Sequence, residues 1–171
     1  MSLSILKYPH PVLKEVAVAV TKDEINDEMR AIFQEMSVLM RESEGVGLAA
    51  VQVGIKKRFF IMIENIDEAS PETIVAINPT IVESSGEIND EEGCLSFPHV
   101  SANVKRAVSV KMRATDAFGE EFEIEKEGFL ARCIQHEIDH LNGITYFDHL
   151  GPIKRKMIEK KYKKLMLENA D

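Results

Sequence analysis

Cysteine is scarce in this chain: Cys94 and Cys133 are the only two in 171 residues. That excludes a disulfide-stapled scaffold, and in a reducing compartment a free thiol is a core residue or a metal ligand. Long apolar runs are also missing, since no stretch approaches the roughly 20 residues that span a bilayer. The opening "MSLSILKYPHP" has no basic segment followed by an apolar one, so no secretory signal is expected and the chain is expected to stay in the cytoplasm. Positive charge is short overall, with a net charge of −8, yet it is concentrated. Residues 154–164, "KRKMIEKKYKK", hold seven Lys or Arg against the single Glu159, which leaves −14 on the remainder. An acidic body argues against sequence-specific nucleic-acid binding, while a basic end could dock on a phosphate-rich surface.

The remaining composition, 44% hydrophobic and 29% charged, is that of a globular protein, and the length suits a single domain over 1–171. In "TKDEINDEMRAIFQEMSVLM", Thr21 and Glu24 have capping-box spacing, and Ile25, Met29, Ile32, Phe33, Met36 and Met40 recur at helical intervals. Short β-rich runs follow: "RFFIMI", "TIVAINP", "TIVES", a longer alternating "NVKRAVSVKMRA", and a turn and strand in "AFGEEFEIEKEG". Helical spacing returns in "FLARCIQHEIDHLNG" through Leu130, Ile134, Ile138 and Leu141. A last helix begins at Pro152, with Ile153, Met157, Ile158, Leu165 and Met166 as its apolar stripe. The expected fold is α+β: short, mainly antiparallel strands packed around a central helix, with further helices near the two ends.

That central helix carries His136-Glu137-x-x-His140, an HExxH pattern. Four residues make about one turn, so the two imidazoles can face one ion with Glu137 beside it. A catalytic site of this kind takes three protein ligands and keeps one position open. Cys133 lies seven residues before His140, about 10.5 Å along the axis, too far for both to bind one ion; it reads as a wall residue. Cys94, in "DEEGCLSFPHV", follows Gly93, which lets the backbone bend, and is the expected third ligand. The proposed set is Cys94, His136 and His140. His10 and His149 read as surface residues, with His99 a weak competitor.

Three stretches together resemble the peptide deformylases: "GVGLAAVQ" (45–52), "EGCLS" (92–96) and "QHEIDH" (135–140), in that family's order and spacing. The opening "SILKYPHPVLKEVA" is similar as well. The resemblance implies a metallohydrolase that removes the formyl group from the N-terminal formyl-methionine of nascent polypeptides. It implies Glu137 as general base, and the Gln52 side-chain amide and Leu95 backbone N–H as oxyanion donors. Val46 and Gly47 would pair with an extended substrate backbone, Gly45 and Gly47 supplying unusual dihedrals. Val46, Phe129, Cys133 and the stem of His136 would form a slot for methionine, and Gly93 completes the substrate-facing set; plain core packing is the alternative. Glu92 and Asp139 stay open between orienting the histidines, pairing with Arg106 and standing in solvent. The donor set suits one divalent ion, zinc, nickel, cobalt or iron(II), and the resemblance points to iron(II). It also implies ribosome docking through the terminal basic helix, for which a solubilising face is the alternative. His10 and Ser101 depart from the family pattern, the latter where some bacterial members carry arginine. Two rival readings are a zinc endopeptidase and a module whose ion only staples the fold.

Overall fold

The chain is α+β, and its computed structural model describes residues 2–66 and 72–170. A five-stranded antiparallel sheet, ordered β1-β2-β3-β6-β7, is built from Gly47–Ala49 (β1), Phe59–Ile63 (β2), Thr73–Ser85 (β3), Ser109–Thr115 (β6) and Glu121–Glu127 (β7). Ile88–Glu92 (β4) and Ala102–Arg106 (β5) form a separate hairpin. Asp27–Glu42 (α1) and Phe129–Leu141 (α2) cover the large sheet, and Pro152–Glu168 (α3) follows.

The all-apolar "FFIMI" run is explained by where β2 sits. Successive side chains of a strand point to opposite faces. Phe59, Ile61 and Ile63 pack with Phe33, Met36 and Met40 of α1, while Phe60 and Met62 pack with Ile134 and Leu141 of α2. Helices on both faces leave no wet side, so alternation disappears from the sequence. Each such fully buried side chain contributes about 1.5–3 kcal/mol. The strand thereby anchors α2, and with it both histidines, to the centre of the molecule.

Several boundaries differ from expectation for identifiable reasons. The Thr21–Glu24 capping box closes only a 3-10 turn at Lys22–Glu24. The α-helix starts later, where the Asn26 side chain accepts the Met29 N–H at 3.0 Å. "TIVAINP" and "TIVES" are one strand with a register irregularity near Asn78, whose φ is 50° and whose side chain bonds both the N–H and the C=O of Val20. "NVKRAVSVKMRA" is instead split between the two sheets. The Gln135 side chain accepts from the Ala107 N–H at 2.9 Å and donates to its C=O at 3.0 Å, taking both groups that a continuous ladder would use. In α3 the fully packed residue is Tyr162, which donates to the Tyr8 carbonyl at 2.7 Å, whereas Ile153 and Met157, expected in the apolar stripe, are exposed.

Candidate metal centre

Two segments far apart in sequence meet at this centre. The helix α2 presents His136 and His140 one turn apart, both buried. The β4–β5 hairpin delivers Cys94 just past the last β4 residue, in a turn closed by the Phe97 N–H donating to the Cys94 carbonyl at 2.9 Å. Beneath the turn, Phe97 stacks on Tyr8 at a centroid distance of 4.8 Å and packs with Tyr146 and Phe147. This aromatic cluster, continued by Tyr162, holds the sulfur in place from behind.

The Cys94 Sγ lies 3.3 Å from His140 Nε2, which lies 3.2 Å from His136 Nε2. All three ligand atoms fall within 4.8 Å of one another. Tetrahedral bonding at about 2.3 Å to sulfur and about 2.0–2.1 Å to nitrogen would set these edges near 3.6 Å and 3.3 Å. The residues therefore fit a single divalent transition ion. Electrostatics point the same way: burial opposes charge on His136, but the Cys94 sulfur and the Glu92 and Glu137 carboxylates outweigh it and raise its pKa well above the ordinary value. Burial and the neighbouring His136 instead drive His140 well below it. These neighbours thus favour a positive charge at His136 while the second imidazole stays neutral.

Glu92 is the hub behind the histidines. Its carboxylate accepts from His136 Nδ1 at 2.6 Å, from Arg106 Nε and Nη2 at 3.0 and 2.7 Å, and from Arg132 Nη1 at 2.9 Å. Burial opposes its ionisation, yet His136 and Arg106 hold the carboxyl far below the usual carboxylate range. The bond to Nδ1 orients the His136 ring so that Nε2 faces the cavity. Of the roles left open for Glu92, orienting a histidine and pairing with Arg106 both hold. Asp139 pairs with Arg106 at 2.6 Å and with His149 at 2.8 Å. His149 is thus a partner in this network, and His10 accepts the Val12 N–H at the start of a 3-10 turn.

A cavity of about 340 Å³ opens beside the centre. Cys94, His136 and Glu137 form its chemical wall, and Val46, Phe129 and Cys133 its apolar one. Gly47, Gly93, Leu95 and Gln52 also line it, so every expected substrate-facing residue borders the same space. Glu137 is 3% exposed, its Oε1 has no hydrogen-bond partner among the described residues, and burial raises its pKa to about 7. Gln52 is fixed at both ends: Oε1 accepts the Ala49 N–H at 2.9 Å, and Nε2 donates to Ser96 Oγ at 3.1 Å and reaches Cys94 Sγ at 3.6 Å.

The glycines act differently from expectation. None of Gly45, Gly47 and Gly93 has a positive φ. Gly47 is required by proximity, because a Cβ there would lie 2.6 Å from Glu137 Oε2 and 2.7 Å from Cys133 Sγ. At Gly93 a Cβ would meet only ordinary contacts.

The polypeptide deformylase family model matches residues 2–156. The chain belongs to this family. A curated peptide deformylase from Thermodesulfovibrio yellowstonii is 44% identical over 161 residues, covering 94% of this chain and 96% of that protein. The crystal structure of a peptide deformylase from Legionella pneumophila is similar at 40% identity and a TM-score of 0.92, covering 100% of this chain and 99% of that one. A deformylase from Synechococcus elongatus in complex with actinonin matches at 34% identity and a TM-score of 0.86, over 93% of this chain and 87% of that one.

Sequence reasoning missed Arg132, Ser96 and the strand β4. The "INDEE" of β4 is acidic and mostly exposed, so it has no apolar alternation to reveal it. Ser96 could have been found from "EGCLS", since a hydroxyl two residues past Cys94 can fix a neighbouring amide.

Proposed function

We propose that this chain is one catalytic domain that hydrolyses the formyl amide of N-terminal formyl-methionine on newly made polypeptides, releasing formate. The observation that carries the reading is the meeting of one sulfur and two imidazole nitrogens within 4.8 Å, beside a buried carboxylate at a cavity wall. Cys94, His136 and His140 would hold one divalent ion; softness of the donors suits iron(II), zinc, nickel or cobalt, with iron(II) as the ion used in the cell. When bound, such an ion supplies Lewis-acid chemistry, acidifying a water and drawing charge from the formyl oxygen.

The chain's own groups account for the rest. Glu137, buried at the cavity wall with its pKa raised to about 7, takes the water's proton and passes it to the departing amine. The Leu95 N–H and the Gln52 Nε2–H that now reaches Cys94 Sγ would turn to the growing oxyanion, while the Ala49 and Ser96 bonds hold the Gln52 amide plane in place. Among the described residues the strand β1 is a sheet edge that pairs with β2 alone, so the substrate backbone can add beside Val46 and Gly47 as one more strand. The methionine side chain enters between Val46, Phe129 and Cys133, and Gly93 leaves room at the cavity mouth.

An endopeptidase would use the same base on an internal amide. Formate release from a formyl-Met peptide, with the unformylated peptide left intact, is the expected result; internal cleavage of the unformylated peptide would overturn the assignment. The work site is cytoplasmic on this reading, in keeping with the observation that no described helix is long and apolar enough to cross a membrane. The lysines of α3 face outward and suit a ribosomal RNA surface. Co-sedimentation with ribosomes should fall when residues 154–171 are deleted, and unchanged co-sedimentation refutes docking.

A further inference from the structure

The buried Arg132 does no work in the scheme above, yet it sits on the wall of the cavity, 6% exposed, one turn before His136. A buried guanidinium is costly unless all its demands are met. Here its bonds go to one place. Nη1 donates to the Val104 carbonyl at 2.8 Å and to Glu92 Oε1 at 2.9 Å, and Nη2 donates to the Ile88 carbonyl at 3.1 Å. Those acceptors lie on both strands of the β4–β5 hairpin, and Glu92 is two residues before Cys94.

We propose that Arg132 is a positioning residue for the metal centre: by clamping both strands of the Cys94 hairpin to the helix that bears His136 and His140, it sets the separation between the sulfur and the two nitrogens.

The inference rests on the metal-binding reading of Cys94, His136 and His140. Arg106, the last residue of β5, holds Glu92 from the opposite side, and its Nη1 reaches Asp139 on α2 and His149, so it ties the hairpin to the helix through side chains alone. Only Arg132, of these two, grips the hairpin main chain. A planar fork reaching three acceptors is not replaced by a lysine, whose ammonium can approach the carboxylate but cannot span two strands and a side chain together. An aliphatic residue would remove the bonds to the Ile88 and Val104 carbonyls and to Glu92, and free the hairpin to shift relative to α2.

The test uses the full chain with cobalt(II) as probe, comparing wild type, Arg132→Leu, Arg132→Lys and Cys94→Ala. Chelator competition gives the cobalt affinity, absorbance gives the sulfur-to-cobalt band, and thermal unfolding of the metal-free proteins gives the structural cost. Arg132→Leu should bind cobalt about 10–100-fold more weakly, the range for lost outer partners of a metal ligand, with a weakened or displaced sulfur band. Arg132→Lys should fall between the two and remains readable if the leucine variant does not fold. Wild-type cobalt affinity and spectrum in Arg132→Lys, or in a folded Arg132→Leu, would overturn the inference even if unfolding temperature drops. Cys94→Ala distinguishes the two layers of the argument: it should lose the sulfur band, and if it retains the band the metal reading itself fails.

Discussion

Replacing Glu137 with Gln separates catalysis from stability. The carboxyl is buried, and desolvation lifts its pKa from 4.5 to about 7. Because the folded value lies above the unfolded one, the metal-free native state holds this proton more tightly. The associated stability is fully present below about pH 4.5 and is lost as pH rises through about 7. A shift of that size corresponds to about 3 kcal/mol. Glutamine keeps the shape and removes the ionisation, so metal-free Glu137→Gln should be more stable than wild type by about 1–3 kcal/mol at pH 7.5, the gap closing towards pH 5. Urea unfolding across that pH range measures the difference. In the metal-loaded state the same variant should release formate 10²–10⁴-fold more slowly, the range for loss of a general base, while binding as much metal as wild type. Unchanged turnover, or a stability difference that ignores pH, would contradict the placement of Glu137 as a buried base.

Three further outcomes follow from the geometry. Gly47→Ala drives a methyl into Glu137 and Cys133, so formate release should fall at least tenfold and stability by about 1–3 kcal/mol, measured by assay and denaturation. Glu92 has a depressed pKa, so its contribution is present above its unfolded value near 4.5 and fades as pH falls below that; acid unfolding of Glu92→Gln should show a shallower pH dependence than wild type. Chelation should abolish formate release but leave far-UV circular dichroism intact, because the apolar packing of α1 and α2 on the sheet involves none of Cys94, His136 and His140.

Much of the site was legible because its signals are local. The four-residue spacing of His136 and His140 needs only a helix, and "GVGLAAVQ", "EGCLS" and "QHEIDH" each occupy consecutive positions. What was not legible depends on partners distant in sequence. Nothing in "NVKRAVSVKMRA" announces that Gln135 will capture Ala107 and divide the strand. The exposed "INDEE" becomes a strand only by pairing with Ala102–Arg106, and in doing so buries Glu92 against two arginines. Gly47 was identified as special for its backbone freedom, whereas the pressure on it comes from side chains 86 and 90 positions away. On α3 the expected stripe holds at Ile158, Leu165 and Met166 and fails at Ile153 and Met157, because the packed face centres on Tyr162, drawn inward by Tyr8 and the Phe97 cluster.

X-ray absorption at the edge of the bound metal reads the coordination shell itself. One ion per chain, with a single sulfur at about 2.3 Å, two imidazole nitrogens at about 2.0–2.1 Å and a light atom from solvent, is the shell predicted for the metal-loaded protein. A shell without sulfur, or one closed by four protein atoms, would contradict it.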